Sequence, residues 1–233
     1  MIDPVRDLAS VHEATERLLN AAARLDNAAV AEPSRLPGWS RGHVLAHIAR
    51  NADAIVNVLE GRPMYASAEA READIERDAA RPLGTQLDDV RESDARFRSA
   101  GAGQDAMEGG WERTVELRNG VTDTASRVPF RRLIEVELHH VDLGIGYELE
   151  DLPGSFTERE IQFLTQRFAG HKDVPPTTVV ADDGRTWGTG GGADGAPVTV
   201  TGPAADLLGW LAGRRDGAAL KASGGVIPAL PPL

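Results

Sequence analysis

At 233 residues, with 41% hydrophobic and 26% charged residues, the chain has ordinary globular usage and enough length to bury one large core or two modest ones, which argues against general disorder or a fibrous architecture. Its formal charge is -11, from 36 Asp+Glu against 25 Lys+Arg, so neither a broad nucleic-acid surface nor an anionic-membrane surface is expected. Cysteine is absent, which excludes disulfides, thiolate zinc sites and a cysteine nucleophile, so any thiol chemistry must borrow its sulfur.

The first residues, MIDPVRDLAS, lack a basic stretch followed by an apolar one, and no apolar run approaches the roughly 20 residues that span a bilayer, so a cytoplasmic protein is expected. Val5, Leu8, Leu18, Leu19, Ala22 and Leu25 recur at helical spacing and predict one long amphipathic helix over residues 5–26. The loop AEPSRLPGWS ends at Ser40, a good N-cap for a second helix running to about Leu59, before Gly61. Further helices are predicted over Ser67–Ala79 and Leu87–Phe97, broken by Arg81-Pro82-Leu83-Gly84. TVELRNGVTDT alternates around Asn-Gly and reads as a tight hairpin with short strands. From about Ser126 a helix runs through FRRLIEVELHHVDLGIGY, with Pro129 tolerable only in its first turn.

At LEDLPGS the character changes. A helix over Thr157–Phe168, the β-branched runs TTVVA and APVTVTG, and a helix from about Pro203 to Gly213 predict a small α/β domain over 151–233, after a helical bundle over 1–150. The overall class is therefore α+β. GTGGGADG lacks the strand-turn-helix context and the lysine of a phosphate loop, and reads as a turn.

Two stretches carry chemistry. In GHVLAHIARNAD, His47 lies just past the edge of the apolar stripe of Val44, Leu45, Ile48, Ala52 and Ile55, where a side chain can point into a crevice between helices, and His43 lies further out. EVELHHVD belongs to a helix that is apolar nearly all round, so its charges need partners. Glu135 and His139, four apart, share one face with Asp142 following; Glu137 and His140, three apart, share another. Two imidazoles and one carboxylate would leave a coordination position open, as in catalytic zinc sites, but spacing alone does not choose between the faces or exclude internal ion pairs.

LPGWSRGHVLAHIARNADA, PMYASAEAREADI, IEVELHHVDLG and VTVTGPAADLLGWLAGR, in that order, resemble the mycothiol-dependent maleylpyruvate isomerases over most of the chain. The resemblance implies a DinB-like four-helix bundle followed by the small α/β domain. It also implies zinc ligands at His47, Glu135 and His139, with His43 outside the set; Asp142, following on that face, is placed either to orient a ligand or to stand as a solvated helix acid. The family's functional arginine matches Arg214 in LAGRRDG, with Arg215 beside it as the rival.

The chemistry so implied uses zinc and mycothiol: a metal-held thiolate adds to the cis double bond of maleylpyruvate, the resulting single bond rotates, and elimination gives fumarylpyruvate. Arg214 would hold a substrate carboxylate. The expected partners are a small anionic substrate and a low-molecular-weight thiol, with no nucleic acid or membrane, and the chain is expected to be a monomer. The alternatives are a mycothiol S-transferase that releases a conjugate and a non-enzymatic, zinc-stabilised binding module.

Overall fold

The structure is a computed structural model that describes residues 2–190 and 197–232. The Gly-rich turn read in GTGGGADG falls largely in 191–196, outside the described residues. The chain divides into two compact units, Met1–Tyr147 and Glu148–Leu233.

In the first unit Asp3 accepts a hydrogen bond from the Arg6 amide and starts α1, Pro4–Ala22. The helix expected to run to residue 26 ends at Ala22, and a short α2 that was not expected, Asn27–Ala31, follows it, capped by Asp26, which accepts from the Ala29 amide. Ser40 caps α3, Arg41–Leu59, and Ser67 caps α4, Ala68–Ala79, each through its side-chain oxygen, an arrangement that contributes about 1 kcal/mol per helix end. The fifth helix, α5, spans Leu83–Ala102 and starts directly after Pro82, earlier than expected. Proline disfavours helical backbone in the residue before it but is tolerated at a helix start, so the Arg81-Pro82 break is shorter than it reads. Strands β1, Thr114–Glu116, and β2, Thr122–Thr124, pair antiparallel across a turn in which Asn119 and Gly120 take positive φ. Finally α6, Val128–Asp142, holds Pro129 in its first turn and ends before Gly144, whose φ of 64° cannot continue a helix.

Four of these helices close into a bundle: α1 and α3 each pack against both α5 and α6. Val11 and Leu18, Leu45 and Ile48, Val90 and Phe97, and Leu133 and Val136 supply buried apolar side chains from the four in turn. α4 lies against α3, and the contact is close. A Cβ on Gly42, in the first turn of α3, would sit 2.2 Å from the Ala79 carbonyl oxygen.

The second unit carries α7, Gly154–Arg167, and α8, Ala204–Leu211, packed on each other. Its sheet has the order β4-β3-β5-β6, from β3 (Thr177–Ala181), β4 (Thr186–Gly188), β5 (Val198–Gly202) and β6 (Lys221–Ala222). The two central strands, β3 and β5, are parallel and the outer pairs antiparallel. Val179 and Val200, fully buried and paired in register, mark the covered face. The outer strands, three and two residues long, are too short to show a period in the sequence.

Candidate metal centre

The bundle brings α3 and α6 together in opposite directions, and the histidine of one meets the carboxylate of the other. His47 Nε2 lies 3.0 Å from Glu135 Oε2, and His139 Nε2 lies 3.2 Å from the same oxygen. One donor atom from each of the three residues falls within 4.8 Å of the others. The imidazoles meet edge to face, with ring centroids 4.7 Å apart. Trp39, just before the α3 cap, lies 5.4 Å from the His47 ring and shields it. Asp142, one turn after His139 and fully buried, places Oδ2 2.8 Å from His139 Nδ1 and so directs Nε2 toward Glu135.

Burial dominates the electrostatics of His47, bringing its pKa down to about 4 despite the Glu135 hydrogen bond. Burial also disfavours the ionised Glu135, but hydrogen bonds from His139 and His47 outweigh it and hold the carboxyl well below its ordinary range. Burial lowers His139 as well, and there Asp142 and Glu135 win, leaving it raised. The Glu135 carboxylate is thus held ionised between His47, which burial keeps neutral, and His139, whose hold on its proton Asp142 and Glu135 strengthen. A divalent cation between the three donors would take over that compensation, and two imidazole nitrogens with a carboxylate oxygen suit zinc.

The other pair faces elsewhere. Glu137 meets Arg17 of α1 at 2.5 Å and accepts from the Tyr147 hydroxyl at 2.9 Å, while His140 stacks on Tyr147 with centroids 4.0 Å apart. His43 closes the α3 capping box, its Nδ1 2.7 Å from Ser40 Oγ, and reaches Glu76 with Nε2 at 3.1 Å. It stands apart from the cluster.

Arg214 belongs to the second unit. It sits not at the end of α8 but in the turn after it, where Gly213 with φ 68° has broken the helix, and its Nη1 donates to the Ala212 carbonyl at 2.7 Å. Arg215 donates to Asp206 at 2.6 Å and to Glu150 at 2.9 Å.

Sequence reasoning passed over several neighbours of the cluster. Arg71 of α4 places Nη2 3.2 Å from His47 Nδ1 and holds its guanidinium 5.8 Å from the centroid of Tyr65. One turn deeper than the cluster, Arg132 Nη1 donates to Asn51 Oδ1 at 2.8 Å; burial draws this arginine down to about 10, against the opposing charge of Glu135. An arginine on a helix apolar nearly all round was a legible signal for Arg132. Tyr65 also lines a cavity of about 650 Å³ whose wall includes Val58, Met64, Met107, Leu117 and Arg118.

Residues 11–144 match the family model described as the mycothiol maleylpyruvate isomerase N-terminal domain, and residues 151–232 the C-terminal domain of the same family. No curated protein matches the chain. Two crystal structures are similar throughout: that of the mycothiol-dependent maleylpyruvate isomerase, 26% identical, and that of a histidine-to-alanine mutant of it, 25% identical. Each gives a TM-score of 0.88 over 99% of this chain and 97% of the other. With both family domains matched in order and the His/Glu cluster in the first of them, the chain belongs to the mycothiol maleylpyruvate isomerase family.

Proposed function

We propose that the protein is a zinc- and mycothiol-dependent isomerase that converts maleylpyruvate to fumarylpyruvate. The observation that carries the reading is the convergence of His47, Glu135 and His139 in a chain of this family. The donor set fits the metal: two imidazole nitrogens and a carboxylate oxygen converge within 4.8 Å, and the His139 ring is already oriented by Asp142. The residues also fit an external thiol, since the chain contains no cysteine of its own.

When bound, the metal lowers the pKa of a coordinated thiol below the roughly 8.5 of a free one, and the thiol supplies the sulfur nucleophile for reversible addition to the double bond. The protein's part is to hold and to shield. His47, Glu135 and His139 hold the ion; Asp142 fixes the His139 ring; Trp39 keeps water from one side of His47. Arg214 holds a substrate carboxylate through paired N–H donors.

The test is to incubate the zinc-loaded protein with mycothiol and maleylpyruvate and follow products by chromatography. Fumarylpyruvate formed with mycothiol regenerated is the expected result. A stable mycothiol conjugate would identify an S-transferase instead, and no consumption of either compound would leave a binding module.

A further inference from the structure

Arg71 is not among the proposed ligands, and the proposed function does not use it. It nevertheless lies against the cluster: Nη2 is 3.2 Å from His47 Nδ1. Only 12% of its side chain is exposed, against 58% for Glu72, its ion-pair partner.

The contact has a consequence for proton placement. A guanidinium donates and never accepts, so His47 accepts at Nδ1. The single proton of the neutral ring then sits on Nε2, directed at Glu135 Oε2 3.0 Å away. That tautomer cannot ligate through Nε2, because a neutral imidazole bound to a cation through one nitrogen carries its proton on the other. With the proton on Nδ1, two donors would oppose each other across 3.2 Å. The Arg71 contact and ligation through His47 Nε2 therefore exclude each other.

We propose that Arg71 leaves His47 as the cluster loads its metal and that its freed N–H edge then binds a carboxylate of the substrate at the cluster. Two features keep the guanidinium nearby rather than in solvent: it lies over the Tyr65 ring, and most of its side chain is buried. Its planar fork matches a carboxylate, which takes up the donors that His47 no longer accepts. Maleylpyruvate carries two carboxylates, so a role for Arg71 does not compete with one for Arg214. The inference rests on the metal-dependent reading above, but it concerns carboxylate binding and proton placement, not turnover.

The test therefore omits the thiol. Zinc-loaded full-length protein is titrated calorimetrically with maleate, a plain cis-dicarboxylate. The parent should bind it, Arg71→Gln should bind about tenfold or more weakly, and Arg71→Lys should fall between, with zinc content unchanged in both. The ring ¹⁵N shifts of His47 should place the proton on Nε2 without metal and on Nδ1 with zinc. Should Arg71→Gln fold poorly, the lysine variant and the ring shifts of the parent decide. Maleate affinity unchanged in the variants, no maleate binding by the parent, zinc lost from Arg71→Lys, or a proton that stays on Nε2 in the zinc-loaded chain would each overturn the proposal. A parent that binds maleate through Arg71 yet never isomerises maleylpyruvate would count against the isomerase reading alone.

Discussion

Asp142 and His139 form a buried pair one helical turn apart, Oδ2 to Nδ1 at 2.8 Å, on the side of the imidazole away from Glu135. The carboxylate fixes which nitrogen faces the cluster and raises the basicity of that nitrogen, and losing such a partner typically costs about 10–100-fold in metal affinity. Asp142→Asn keeps the shape and removes the charge. It should weaken zinc binding by about that factor while leaving the helical signal intact, as a competition titration with a chromophoric chelator would report. Parental affinity in the variant would show that Asp142 serves the bundle and not the site.

The division between the two faces of α6 gives a second expectation. Bound metal should be lost from His47→Ala, Glu135→Ala and His139→Ala, and retained by His43→Ala and Glu137→Gln. Elemental analysis of the purified variants measures this directly. His43 is engaged with Ser40 and Glu76, and Glu137 with Arg17 and Tyr147, so neither is available to the cluster. Full occupancy in Glu135→Ala would sink the ligand assignment.

What could be read in advance and what could not follows from helix geometry. His47 at the edge of a stripe was legible because α3 buries one broad face and the crevice lies beside it. Glu135 with His139 could not be separated from Glu137 with His140 on spacing, since α6 is covered on nearly every side and both pairs find partners. The choice depends on which helix lies opposite: α3 brings His47 to one face, α1 brings Arg17 to the other. Arg71 was beyond reach for a different reason. α4 has two arginines and three glutamates, and nothing in its own pattern says which of them turns toward α3. The break after α1 was likewise hidden, because the Asp26 cap lies inside a run that otherwise keeps a helical period.

The closeness of α3 and α4 makes Gly42 a sensitive position. An added methyl group would come within 2.2 Å of the Ala79 carbonyl oxygen and 3.0 Å of a Val30 methyl, and backbone cannot rotate away as a side chain can. Gly42→Ala should therefore destabilise the protein by about 1–3 kcal/mol, read as a lower midpoint in urea with unchanged slope. Because α4 carries Arg71, the displaced helix should also disturb the His47 contact. An unshifted midpoint would mean that the two helices can separate freely at this end.

The two adjacent arginines of the second unit should fail differently. Arg215 is committed to Asp206 and Glu150, partly exposed ion pairs that join the turn after α8 to the start of the unit, so Arg215→Ala should cost roughly 1 kcal/mol of stability and little turnover. Arg214→Ala should keep zinc yet lower kcat/KM for maleylpyruvate. Removing a charged hydrogen bond to an anion costs about 1.5–3 kcal/mol, or roughly one to two orders of magnitude in rate when the bond is made in the transition state. Steady-state kinetics beside zinc content and thermal denaturation separate the two patterns. The same kinetics separate the roles of the units, since a substrate clamp supplied by Arg214 makes turnover depend on residues that bind no metal. If Arg214→Ala turns over maleylpyruvate like the parent, the carboxylate clamp lies entirely in the helical unit, and Arg71 becomes the residue that must account for substrate binding.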